Sequence, residues 1–136
     1  GIVTGVNEQH LATFGSFKNL LSAEGGRELV NNLPKDSLIV LNGDNKYCLD
    51  LYKKLHNFGW GWGGLKKKIY TIDRDKINSD IWTEDIEIKK DSLSFIAMTN
   101  KKEMSHFDID VLGSHNIQNI LGSVLVAEEL GMNLKE

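Results

Sequence analysis

The chain is poor in cysteine and carries no segment built to span a membrane. Cys48 is the single cysteine in 136 residues, so no internal disulfide can form, and a reducing compartment fits. No apolar run approaches the roughly 20 residues that a membrane-spanning helix needs. The cation excess of a nucleic-acid binder is also missing. Sixteen Lys and Arg face 19 Asp and Glu, for a net charge of −3. The first residues lack a basic start and a cleavage site, so Gly1-Ile2-Val3-Thr4-Gly5-Val6 reads as a strand rather than a signal peptide. No Gly-x-x-Gly-Lys-Ser/Thr phosphate loop occurs. The stretch Phe58-Gly59-Trp60-Gly61-Trp62-Gly63-Gly64 is not one, because a strand follows it and no Lys-Ser/Thr does. Surface packing of Trp60 and Trp62 accounts for it, and stacking of a base or sugar is the sharper alternative. What is present suits one folded domain: 40% hydrophobic residues, enough for a core.

The first half alternates strand and helix signals. Ile2–Val6 is a short apolar run, as a strand buried on both faces requires. Residues 17–33 read as a helix that Gly25-Gly26 breaks, since each mid-helix glycine costs about 1 kcal/mol against alanine. Leu38-Ile39-Val40-Leu41 is a second buried strand, residues 46–55 a helix, and residues 67–72 a third strand with Ile69 and Ile72 inward. Such alternation predicts a parallel α/β sheet with flanking helices. The second half changes period. Ile86 and Ile88, then Leu93, Phe95 and Ala97, then Phe107, Ile109 and Val111 alternate with polar residues. They predict a small antiparallel three-stranded sheet. From Ser114, Ile117, Ile120, Leu121 and Val124 form the stripe of a helix, with Ser114 as N-cap and Gly131 as its stop.

The candidate chemistry collects at strand ends and one helix start. His10 follows the first strand, and open α/β sheets bind ligands at the carboxyl ends of their strands. Imidazole is a good ligand for borderline cations and a weaker one for magnesium. A loop histidine bonded to a neighbour is the plain alternative. Glu24, fourteen residues on, offers a hard carboxylate ligand, and Glu28 a second. An exposed helix glutamate before a helix break accounts for Glu24 equally well. Asn42, Asp44 and Asn45 end the second strand, on the same edge as His10 if the strands are parallel; a generic turn explains them as well. Asn116 and Asn119 share a helix face at i, i+3 spacing. Each amide offers a donor and an acceptor, matching an adenine edge. Helix capping is the alternative.

Two patterns, Asn7-x-x-His10-Leu11-x-x-Phe14-Gly15-Ser16 and Gly113-Ser114-His115-Asn116-Ile117-Gln118-Asn119, together resemble the central, ATP-using domain of the Mur ligase family. Within it they are most similar to the type that adds D-alanyl-D-alanine to UDP-N-acetylmuramoyl-tripeptide. The likeness covers most of the chain and is weakest at residues 57–64 and 74–79. It implies a cytoplasmic, ADP-forming amide ligase of peptidoglycan precursor synthesis, using ATP and Mg2+. ATP phosphorylates a substrate carboxylate to an acyl phosphate, which an amine then attacks. By resemblance, His10 helps hold the second magnesium near the γ-phosphate. Family members carbamylate a lysine where this chain has Glu24, so Glu24 would supply a built-in carboxylate, with the paired glycines allowing closer approach. Glu28 falls near a family glutamate, two residues displaced. Asn116 and Asn119, with His115 nearby, would contact the nucleotide base, and Asn42 and Asp44 match a family Asn-x-Asp.

The family's phosphate loop, its UDP-sugar domain and its C-terminal domain are expected outside these residues. The chain then reads as the second half of a central domain, inactive by itself, with an exposed sheet edge. UDP-MurNAc-peptide and D-alanyl-D-alanine would engage the missing domains. A folylpolyglutamate or cyanophycin type of ligase, and a non-catalytic nucleotide- or partner-binding domain, are the other readings.

Overall fold

Side-chain amides continue a ladder that the backbone leaves unfinished at the carboxyl ends of the first two strands. The computed structural model describes residues 1–7, 11–23, 26–57, 64–111 and 113–134. They fall into two units, Gly1–Lys68 and Ile69–Glu136. The strands follow the order β1-β2-β3-β4-β5-β6.

The first unit holds β1 (Ile2–Val3), α1 (Leu11–Phe14), α2 (Phe17–Ala23), α3 (Arg27–Asn32), β2 (Leu38–Asn42), α4 (Lys46–Asn57) and the start of β3 (Lys66–Tyr70). β1 and β2 run parallel, with Ile2 opposite Val40 and Val3 opposite Leu41. Ile39, Val40 and Leu41 are fully buried, which is why the strand is one continuous apolar run. Val3, Val30, Ile39, Leu41, Cys48, Leu51, Leu55 and Leu65 form the core. Cys48, Leu51 and Leu55 line one helical face of α4. The Lys67 ammonium donates to the Leu55 carbonyl at 2.9 Å near the end of that helix.

Residues 17–33 do break, as the glycines require. Gly26 has φ +80, and a β-carbon there would stand 2.6 Å from Val3 Cγ2. Two expectations need correction. β1 ends at Val3 rather than Val6, because the carbonyls beyond it bond side chains of the next strand's turn. Residues 11–14, expected as loop, form a helical turn.

The second unit holds the end of β3, a 3-10 turn (Arg74–Lys76), β4 (Ile81–Ile88), β5 (Leu93–Thr99), β6 (Met104–Ile109) and α5 (His115–Glu129). Within this unit Tyr70 pairs in parallel with Ile81. β4, β5 and β6 are antiparallel to one another. Leu93, Phe95, Ala97 and Thr99 are buried on one face of β5. Phe95 stacks on Phe107, ring centroids 5.1 Å apart. Ile86 and Ile88 are not core residues: they are 40% and 57% exposed. A bulge between Glu84 and Glu87, with Asp85 at φ 51, contains Ile86 and breaks the alternation ahead of Ile88. Ile81, Trp82 and Thr83 are the buried part of β4 instead. On α5, Ile117, Leu121 and Leu125 are buried, and the helix stops before Gly131 as expected.

Candidate functional site

The first unit builds a polar edge where β1 and β2 end. Their parallel register brings Thr4–Val6 alongside Asn42–Asn45, the edge on which the sequence placed these residues. Asn42 is 3% exposed. Its amide N–H donates to the Thr4 carbonyl at 2.7 Å, and its Oδ1 accepts from the Asp44 backbone N–H at 2.9 Å. This is an Asx turn. Asn45 caps α4: its Oδ1 accepts from the backbone N–H groups of Tyr47 at 3.1 Å and Cys48 at 3.3 Å. Its Nδ2 donates to the Val6 carbonyl at 3.2 Å. Asp44 is half-buried between them. The sequence marked this stretch as a turn; the double use of Asn45 was missed, although an asparagine directly before a helix signals the cap.

His10 and Glu24 lie outside the described residues, as do Trp60 and Trp62. Glu28 is exposed in the first turn of α3. Its carboxylate accepts from the Ser22 hydroxyl at 3.3 Å. Among the described residues no three His, Cys, Asp or Glu side chains group closely enough to hold a metal.

The second unit carries Gly113 to Asn119 at the start of α5. Gly113 has φ +95, and His115 folds back over it. Ser114 occupies the N-cap position with helical angles (φ −60, ψ −23), and its hydroxyl makes no capping bond. The expected side-chain cap is therefore absent, because a residue already in helical conformation does not turn its oxygen onto the following N–H groups. The first turn closes through the backbone instead, Asn116 N–H to Gly113 O and Ile117 N–H to Ser114 O, both at 3.1 Å. Ile117 is buried, while His115 and Asn119 are exposed. The Asn119 side-chain amide has no partner among the described residues, so helix capping does not account for it. No described helix is long and apolar enough to cross a membrane.

Parallel strands with flanking helices in the first unit, and an antiparallel meander with a helix in the second, define an α/β domain with a polar cluster in each unit. The chain belongs to the Mur ligase middle domain family, whose model matches residues 1–127. UDP-N-acetylmuramate--L-alanine ligase of Brachyspira hyodysenteriae is 24% identical over 135 residues, 99% of this chain and 27% of that protein. UDP-N-acetylmuramoylalanine--D-glutamate ligase of Staphylococcus carnosus is 23% identical over 133 residues, 98% of this chain and 25% of that protein. Among solved structures, a UDP-N-acetylmuramoyl-L-alanyl-D-glutamate--2,6-diaminopimelate ligase shares the fold with a TM-score of 0.77 at 18% identity, over 98% of this chain and 25% of that one. MurF from Thermotoga maritima, solved in complex with ADP, gives 0.70 at 15% identity, over 97% of this chain and 28% of that one. The chain thus spans about a quarter of the length of the relatives it matches.

Proposed function

We propose that this chain is part of a cytoplasmic, ADP-forming amide ligase of peptidoglycan precursor synthesis, with ATP as phosphoryl donor. A carboxylate oxygen of a UDP-MurNAc-type substrate attacks the γ-phosphorus and ADP leaves. An amine then attacks the acyl phosphate carbon, loses its proton, and inorganic phosphate departs. Asn116 and Asn119, with His115, are assigned to the nucleotide base. His10, Glu24 and Glu28 are assigned to magnesium, which when bound neutralises charge on the transferring phosphoryl group. Asp44 is assigned to the nucleotide side of the strand edge, and Asn42 holds the turn that carries it. The observation that carries the reading is the start of α5, where the exposed Asn119 amide and the seated His115 ring stand in a domain of this family.

The amine is proposed to be D-alanyl-D-alanine, which the Leu11-x-x-Phe14-Gly15-Ser16 pattern supports. L-alanine is the second reading, favoured by the names of the relatives. The test uses the full-length protein with ATP and Mg2+, measuring phosphate release and product mass. The first reading expects product from UDP-MurNAc-tripeptide with D-alanyl-D-alanine. Product only from UDP-MurNAc with L-alanine selects the second. Binding of nucleotide without product from either pair overturns both amine assignments.

A further inference from the structure

The second unit holds a polar cavity of about 700 Å³ between two turns, residues 74–79 ahead of β4 and residues 100–102 between β5 and β6. That is room for a small molecule. Its charged lining is two cations, Arg74 and Lys102, against one carboxylate, Asp75. None of the residues assigned to ATP or magnesium lines it.

Arg74 is held in place without being neutralised. Its Cζ lies over the Trp82 ring, 5.0 Å from the centroid. Trp82 is 8% exposed, and its indole N–H donates to Glu84 Oε1 at 3.2 Å, so the ring is a fixed support. A guanidinium resting on an aromatic face keeps N–H donors free at its edge. Among the described residues Arg74 has no carboxylate partner, and neither has Lys102.

Lys102 stands where a side chain is costly. Its φ is +66, in the left-handed region, and its N–H closes the turn onto the Thr99 carbonyl at 3.0 Å. Glycine or asparagine is the common choice at such a position. The turn gives no reason for a lysine, and the cavity does. Ser79 adds a buried donor. It is 3% exposed, and its Oγ accepts from the Thr71 hydroxyl at 2.9 Å, which leaves its own proton without an acceptor among the described residues.

We propose that this cavity binds a small ligand through an oxyanion, a phosphate or a carboxylate, taken by Arg74 and Lys102 with Ser79 as a further donor.

The test follows the indole N–H signal of Trp82 in full-length protein labelled with 15N-tryptophan; it is the signal that Trp82→Phe lacks. Pyrophosphate and succinate are titrated separately at constant ionic strength. A saturable shift with pyrophosphate identifies a phosphoryl ligand, and one with succinate a carboxylate; each supports the site. Arg74→Gln and Lys102→Gly should each weaken that binding by about 3- to 10-fold. Lys102→Gly, relieved of its left-handed strain, should nevertheless unfold at the wild-type urea concentration or above. Lys89→Gln removes an exposed cation outside the cavity, paired with Glu87 at 3.3 Å, and should change nothing. No saturable shift with either anion would overturn the proposal. So would wild-type affinity in Arg74→Gln and Lys102→Gly, or an equal loss in Lys89→Gln, which would reduce the effect to surface charge.

Discussion

The imidazole of His115 lies against the α-carbon of Gly113, so that a β-carbon on Gly113 would stand 2.5 Å from Cε1 and 2.7 Å from Nδ1. Gly113 also has φ +95, where any side chain is strained. The two residues therefore form one unit, with the glycine seating the ring that precedes Asn116. Gly113→Ala is expected to cost about 1–3 kcal/mol of stability through the backbone and to displace the ring. Urea unfolding of the full-length protein and the KM for ATP measure the two effects. In the double variant with His115→Ala the stability loss should persist and the further change in KM should vanish. An additive change in KM would contradict the seat.

Asn119 is exposed, and its amide has no side-chain role in the described fold. Asn119→Ala should therefore leave the melting temperature unchanged or slightly higher, since alanine favours helix. The KM for ATP should rise by roughly 3- to 10-fold with kcat little affected, from a net hydrogen bond worth about 0.5–1.5 kcal/mol. A fall in kcat at constant KM would remove Asn119 from base recognition.

Gly122 tests packing against helix propensity. A β-carbon there would meet Cε1 of Tyr70 at 3.1 Å, and Tyr70 is fully buried. Alanine gains about 1 kcal/mol in helix propensity, but overpacking costs about 1–3 kcal/mol where the neighbour cannot move aside. Gly122→Ala should be net destabilising by about 1 kcal/mol in urea unfolding, and Gly122→Val more so.

Cys48 is buried, and its thiol donates to the Val3 carbonyl at 3.6 Å. Burial pushes the thiol up from 9.0 to about 11, partly offset by a backbone hydrogen bond from Asn42. Iodoacetamide at pH 8 should alkylate the native protein only as fast as it unfolds. Because the folded value lies above the unfolded one, the thiol's contribution to stability is complete below about pH 9 and is lost as pH rises through about 11. Wild type should lose stability over that window more steeply than Cys48→Ala.

The run Ile39-Val40-Leu41 and the stripe Ile117-Leu121 were legible because burial on both strand faces, or on one helix face, writes itself into residue order. The end of β1 was not. It depends on which side chains of the β2 turn reach Thr4 and Val6, and only the register of two strands decides that. The α1 turn was hidden because four residues carry barely one helical period. Ile86 and Ile88 misled because a bulge one residue long changes the face on which alternation ends. The Gly113–Asn119 pattern was visible as a motif, but the reason for its glycine, an imidazole seated on it, is a contact and not a periodicity. His10 and Glu24, assigned to the metal, lie outside the described residues.

The most direct test of the account follows an oxygen atom. The full-length protein is given ATP, Mg2+, the amine and a UDP-MurNAc-type substrate labelled with 18O in its reacting carboxylate. An acyl phosphate requires one labelled oxygen to leave with the phosphoryl group, so the released inorganic phosphate should carry 18O. Phosphate free of label, or no phosphate released in the presence of both substrates, would contradict the ligase assignment.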